Sequence, residues 1–209
     1  MPDDPKEIVR AGYDAIADRY AGWRGDIAGS DEAQWVDDLL ERLPAAPTAL
    51  ELGCGAGSYV TTVLGERGDL LGVDISAEQL RSARERHPRV RFMQADFTQV
   101  DLDPESFDAV VSVYALNHVP RADLPRLLSS IGRWLKPGGY FFGSFGRSGE
   151  EGVEDDWLGV PMFFGSFTEA ENRELVGAGG LDIRRDEVIT IVEPEYGEAR
   201  FQWILARKS

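Results

Sequence analysis

An α/β fold with a mostly parallel sheet is what this 209-residue sequence predicts, on three observations. From Thr48 onward, short apolar runs alternate with helical stretches. A loop with three glycines in five positions, Gly53 to Gly57, follows the first of those runs directly. Near the C-terminus two strand-like runs are separated only by "EPEYGE". Strand–helix alternation calls for right-handed crossovers between parallel strands, whereas so short a connection joins antiparallel ones.

Taken in order, Val9, Tyr13, Ile16 and Tyr20 recur at helical spacing, which predicts an amphipathic helix over 6–21. A Gly-rich break, "AGWRGDIAGS", follows, and Ser30 reads as the N-cap of a second helix carrying Trp35, Val36, Leu39, Leu40 and Leu43 on one stripe. Pro44 and Pro47 end it, so residues 1–46 form a helical cap ahead of a core at 47–146. "TALEL" is the first strand, with a helix over about 58–66 behind the glycine loop. "DLLGVD" and Ala77–Arg86, with Ser76 as cap, make the next strand–helix pair. "RVRFMQAD" and "FDAVVSVY" are the third and fourth strands, the latter apolar enough to be buried on both faces. Leu124, Leu127, Leu128, Ile131, Trp134 and Leu135 mark a strong helix, and "KPGG" turns the chain into a fifth strand, "YFFGSF". Residues 147–167 read as a loop, Thr168 starts a helix that ends near "GAGG", and Ile183–Val192 with Ala199–Arg207 form the closing hairpin. The whole reads as a single domain.

Composition narrows the partners. Apolar residues make up 43% of the chain, enough for a substantial core. Acidic side chains number 37 against 22 basic ones, a formal charge of −15. That balance argues against nucleic acid, whose phosphates require clustered Lys and Arg, and against an anionic membrane surface. No apolar run approaches the length of a membrane helix, and the opening "MPDDPKEIVR" lacks the apolar core of a signal peptide. One cysteine, Cys54, excludes an intrachain disulfide, and with only His87 and His118 besides, no metal site is expected. A soluble cytoplasmic protein is the expectation; the oligomeric state stays open.

A glycine loop between strand and helix sets a ligand at the helix N-terminus. No Gly-Lys-Ser/Thr follows, so the loop is not a nucleotide-triphosphate cradle. The spacing G-x-G-x-G also departs from the G-x-G-x-x-G of dinucleotide folds, which disfavours a nicotinamide oxidoreductase. Glu51, two residues before the first glycine, would repel a pyrophosphate and suits a cationic ligand. Asp74 ends the second strand, where an acid accepts hydrogen bonds from a ribose diol or, alternatively, caps the next helix. Asp96 ends the third and is placed to accept from an adenine amino group, with Phe97 offering its amide or ring edge; a plain turn aspartate is the alternative.

In this order and spacing, "ALELGCGAGSYV", "LLGVDIS", "QADF", "SFDAVVSVYALNHV" and "LKPGGYFFGSF" resemble class I S-adenosylmethionine-dependent methyltransferases. The opening "YDAIADRY" is similar to their small-molecule branch, type 11 and type 25. The resemblance implies a Rossmann-like seven-stranded sheet with its last strand antiparallel and helices on both faces. It implies S-adenosyl-L-methionine as cofactor, with the methionine moiety against Gly53, Cys54, Gly55 and Gly57, the ribose on Asp74 and the adenine on Asp96, near Ile75 and Val113. Gln79 sits where a side chain usually packs on the adenine ring, a polar departure. Tyr13 is expected near the cofactor carboxylate.

Methyl transfer is an in-line displacement served mainly by proximity and exclusion of water. A hydroxyl acceptor would also need a base, for which His118 in "YALNHVP" is the candidate, packing at a helix start being the alternative. Tyr20, Trp23, Asn117, Trp157, Met162, Phe163 and Phe164 are the candidates for an apolar acceptor pocket, or else a satellite core. A second reading keeps the cofactor fold without methyl transfer.

Overall fold

Strand β1 (Thr48–Leu52) is buried along nearly its whole length because it runs through the middle of a seven-stranded sheet. The computed structural model describes residues 4–27, 30–194 and 196–209, with backbone alone at 24–27 and 30. Around β1 stand β2 (Asp69–Asp74), β3 (Arg91–Gln94), β4 (Phe107–Ser112) and β5 (Leu135–Phe145), then β8 (Leu181–Glu193) and β9 (Gly197–Lys208), in the order β3-β2-β1-β4-β5-β9-β8. Pairings from β3 to β5 are parallel, and β9 alone runs antiparallel to its neighbours. The seven strands and the reversed last one are as expected.

Helices cover both faces. One face packs Leu50, Val110 and Phe141 against α5 (Leu124–Trp134) and α6 (Glu169–Ala178), through Leu127, Leu128, Ile131 and Val176. The other packs Ala49, Val111, Phe142 and Trp203 against α2 (Ser30–Leu40) and α3 (Tyr59–Arg67). Alternate residues of one strand thus feed opposite cores, which is the period-2 geometry of a strand covered on both sides. Trp35 stacks on Phe142 with centroids 5.6 Å apart, and Arg185 lies 3.9 Å over the Trp35 ring. Side-chain caps define where helices begin: Ser58 and Thr61 form a capping box on α3, and Thr168 and Glu171 do so on α6. Ser76 accepts from the Gln79 amide at 3.1 Å at the start of α4 (Ala77–Arg86), which leaves Asp74 free of capping duty there. Among the described residues no helix is long and apolar enough to cross a membrane.

Three expectations need correction. The break placed after residue 21 is absent: α1 runs Pro5–Ile27, because Trp23 extends the buried stripe of Ile8, Val9 and Ile16 by two turns and outweighs the glycines beside it. The Ser30 cap falls on a side chain outside the described residues. The stretch 147–167 is no loop but a second, two-stranded sheet of β6 (Glu151–Trp157) and β7 (Val160–Gly165). Its turn at Leu158 and Gly159 has positive φ at both positions, 51° and 84°, the geometry that lets two short strands fold back on each other. Finally, β3 is only Arg91–Gln94, four residues of the eight expected, since Asp96 leaves the ladder to bond its own loop. The β6–β7 hairpin and α1 bury each other through Trp157, Leu158, Met162 and Phe163. This cap sits over the C-terminal edge of the parallel strands.

Candidate functional site at the carboxyl edge of the sheet

The site grows from the bends where β1, β2 and β4 end. Gly53 has φ +72°, and a Cβ there would lie 2.2 Å from the Ala115 Cβ. Only glycine fits both the dihedral and the close approach of the β4 loop. Gly53→Ala should therefore cost about 1–3 kcal/mol and lower the melting temperature by several degrees, as thermal denaturation would show; an unchanged melt would contradict the packing. Cys54 is buried behind the loop, against Gly72 of β2. Burial pushes its thiol well up, with the Asp74 and Glu51 charges adding to the effect, so it remains a protonated packing residue.

Glu51 is buried and accepts from Ser58 Oγ at 3.0 Å and Thr61 Oγ1 at 2.7 Å. It ties β1 to the first turn of α3 and keeps its carboxyl behind the glycines. Asp74 accepts from the amides of Gly55 at 2.8 Å and Ser76 at 2.9 Å, holding the β1 and β2 loops at fixed separation. Burial raises the Glu51 carboxyl to about 7, opposed by its two hydroxyl donors and reinforced by Glu32 and Asp74. Burial likewise raises Asp74 to about 6, against its backbone donors.

In both cases the folded value exceeds that of the unfolded chain, so the folded state holds protons that the unfolded state has lost. Their stabilising contribution is complete below about pH 4 and disappears as pH rises through about 6 to 7. The ligand-free protein should lose roughly 1–3 kcal/mol of stability between pH 5 and pH 8 from this source. Glu51→Gln should flatten part of that slope in melts taken across pH.

Three cavities meet here. The first lies beneath α1, with Val9 and Tyr13 above and Asp74, Ile75, Gln79 and Phe97 below. Its free volume is about 80 Å³, well short of the roughly 300–1,000 Å³ usual for ligand sites. The second, about 400 Å³, follows the glycine loop from Glu51 to Ser58, with Glu32, His87 and Val113 on its walls. The third is a cleft of about 640 Å³ between α1, the β6–β7 hairpin and the β8–β9 end of the sheet. Tyr13, Tyr20, Tyr114 and His118 wall both the first cavity and the cleft, and thus form the partition between them.

Asp96 accepts from the Thr98 amide and hydroxyl at 2.9 and 2.7 Å, and its other oxygen lies 2.9 Å from Lys6 Nζ. Lys6 also reaches Asp123 at 2.7 Å, so it clamps the start of α1 across the first cavity. Gln79 is buried at the cavity floor with neither Nε2 nor Oε1 hydrogen-bonded among the described residues. His118 sits in a 3₁₀ turn, Leu116–His118, just past β4. Its Nδ1 lies 2.8 Å from the Phe163 carbonyl, which can only accept, so Nδ1 carries the proton and Nε2 is the acceptor. Tyr13 donates its hydroxyl to that Nε2 at 2.8 Å. Burial lowers His118 to about 4, with the Phe163 bond opposing, so the ring is neutral at pH 7.

The structure brings most of the sequence-derived candidates to these three cavities. Tyr20, Trp23, Asn117, Trp157 and Phe164 line the cleft, with Trp23 also donating to the Pro194 carbonyl at 3.2 Å. Met162 and Phe163 do not: both are buried beneath α1, where Met162 packs under Gly12. The β7 pleat turns Phe163 away from the side of Phe164, and Met162 is taken up beneath α1 by its contact with Gly12. Glu150 and Glu154 line the cleft as well. Lys6 and Glu32 were missed, since each is one polar residue on a helix whose apolar stripe reports packing alone. His87 closes on the loop with ring atoms 2.5 Å from where a Gly57 Cβ would stand.

The sheet order, with its reversed last strand and the cavities at its carboxyl edge, is an α/β architecture that can be compared with known proteins. Residues 49–139 match the family model described as a methyltransferase domain. Among curated relatives, a 2-phytyl-1,4-naphtoquinone methyltransferase of Thermosynechococcus vestitus is 35% identical over 140 residues, covering 63% of this chain and 61% of that protein. A trans-aconitate 2-methyltransferase of an Azoarcus species is 40% identical over 107 residues, covering 49% and 41%. The chain spans about three-fifths of the length of the first of these relatives. Among solved structures, the 1,6-didemethyltoxoflavin-N1-methyltransferase of Burkholderia thailandensis superposes with a TM-score of 0.73 at 22% identity, over 100% of this chain and 92% of that one. Magnesium protoporphyrin IX methyltransferase of Synechocystis gives 0.73 at 20% identity, over 100% and 99%. At that identity both show the shared fold. Residues 49–139 thus match a methyltransferase domain, and the whole chain shares its fold with these methyltransferases.

Proposed function

We propose that this chain transfers a methyl group from S-adenosylmethionine to a small-molecule acceptor, working as a single cytoplasmic domain. The observation that carries the reading is the shared wall: a cavity floored by Asp74 and Gln79 opens onto an aromatic cleft across the Tyr13–His118 pair. The residues fit the cofactor. Buried Gln79 has a primary amide without partners beside a floor carboxylate, as a polar nucleoside requires. The acidic wall of Glu51 and Glu32 suits a sulfonium and an ammonium.

Asp74 retains lone pairs for a ribose diol while its amide donors hold it in place. Asp96, with Phe97, would take the adenine amino group in exchange for part of its present pairing with Thr98 and Lys6, and Ile75 and Val113 line the same cavity beside it. Gly53, Cys54, Gly55 and Gly57 accommodate the methionine end, backed by Glu51, with Tyr13 near its carboxylate. When bound, the cofactor supplies an electrophilic methyl group on a sulfonium leaving group. The chain's own part is to place the acceptor behind that methyl, keep water out with Tyr20, Trp23 and Trp157, and manage a proton.

For a hydroxyl acceptor, the proton passes to the Tyr13 oxygen as the Tyr13 proton moves to His118 Nε2. His118 is then cationic, its charge eased by the Nδ1–H bond to Phe163. The test is a screen of small acceptors for release of S-adenosylhomocysteine together with a product heavier by one methylene. Equimolar release of the two supports transfer. Tight cofactor binding with no transfer to any acceptor class would favour the alternative, a cofactor-binding protein without methyl transfer.

A further inference from the structure

The cleft has a composition that selects among acceptors. We infer that it takes a flat aromatic or heteroaromatic acceptor bearing an N–H or O–H donor for Asn117 and no carboxylate. This rests on the methyltransferase reading above and adds the class of its substrate.

Three independent features carry it. The walls are rings at close spacing: Tyr20 and Trp23 are 5.7 Å apart and tilted by 30°, and Trp157 and Phe164 are 5.7 Å apart. Large rigid faces of this kind bury a planar ligand with little loss of side-chain freedom. Asn117 lines the same cleft at the end of β4, is 8% exposed, and its Oδ1 has no hydrogen-bond partner among the described residues. A buried acceptor without a donor is costly, and a ligand N–H or O–H relieves it.

The charge of the rim is the third feature. Glu150, Glu154, Glu193 and Glu198 line the cleft against Arg147 and Arg200. Both guanidinium groups are already engaged, Arg147 with Glu169 at 2.9 Å and Arg200 with Glu198 at 3.4 Å. The remaining field is negative, and the Glu154 charge adds to burial in raising the Glu193 carboxyl. A carboxylate-bearing acceptor would meet repulsion there, whereas a protonated amine or a ring N–H would meet attraction.

The experiment is a tryptophan-fluorescence titration of the full chain saturated with S-adenosylhomocysteine, since Trp23 and Trp157 line the cleft. The probes are 2-aminobenzimidazole and naphthalene-2-carboxylate, flat molecules of similar size and opposite polarity. The amine should bind at least tenfold tighter. Asn117→Leu should weaken the amine about tenfold, and the Glu154→Gln/Glu193→Gln double variant, nearly isosteric at an exposed and a half-buried rim position, should shrink the preference several-fold. Equal or tighter binding of the carboxylate, or a preference that neither variant alters, overturns the inference. If S-adenosylhomocysteine itself fails to bind, the cofactor reading falls and this inference falls with it; product binding without probe preference overturns this inference alone.

Discussion

Asp74→Ala should weaken S-adenosylmethionine binding by about 1–3 kcal/mol, five-fold to more than a hundred-fold. The side chain has two jobs that the substitution removes together. In the proposed reading it would offer a carboxylate to the ribose, and it accepts from the Gly55 and Ser76 amides that set the distance between the β1 and β2 loops. Asp74→Asn separates the two: it keeps an oxygen for one amide, removes the charge, and should fall between wild type and alanine. The effect should also depend on pH. With Asp74 raised to about 6, affinity should decline as pH falls below that value, since a protonated carboxyl is a poorer acceptor for two hydroxyls. Titration calorimetry at pH 5.5 and 8 measures all of this. Equal affinity of Asp74→Ala and wild type would refute the ribose assignment.

The second large effect concerns the partition between the two cavities. On a hydroxyl acceptor, Tyr13→Phe and His118→Ala should each lower kcat by about 10²- to 10⁴-fold, and the double variant should lose little more than either alone, because the two act through one hydrogen bond. The pH profile adds a sharper check. A base at about 4 is already neutral across pH 5 to 8, so the His118 limb of the kcat profile should lie in the acid range and leave that interval flat. Full turnover by His118→Ala would contradict the relay. If the acceptor were a carbon or amine nucleophile that is already deprotonated, both variants should retain most activity and affect KM instead.

The centre of the sheet was legible because β1, β2 and β4 are short, apolar and bounded by turn residues, and because strand–helix alternation admits few topologies. The carboxyl-edge residues followed from that topology: Glu51, Asp74 and Asp96 are strand-end acids, and a parallel sheet brings strand ends together. What escaped depends on tertiary override. The break at residue 21 looked sound from the glycines, yet Trp23 finds Trp157 and Tyr20 and the helix continues. Residues 150–156 are too acidic to announce a strand, but β6 is exposed along most of its length, where charge costs nothing and also guards the edge. Lys6 had no local signal because its partners, Asp96 and Asp123, lie about a hundred residues away. The turn of Phe163 away from Phe164 depended on the pleat of a strand that had been read as a loop.

The account stands most directly on what the Gly53–Gly57 loop binds, and one calorimetric comparison decides it. Purified protein, stripped of bound metabolites, is titrated at pH 7.5 with S-adenosylhomocysteine and separately with NAD. The account predicts saturable one-site heat with the adenosylhomocysteine, lost or sharply reduced in Asp74→Ala, and none with NAD. Heat with NAD and none with S-adenosylhomocysteine would contradict it.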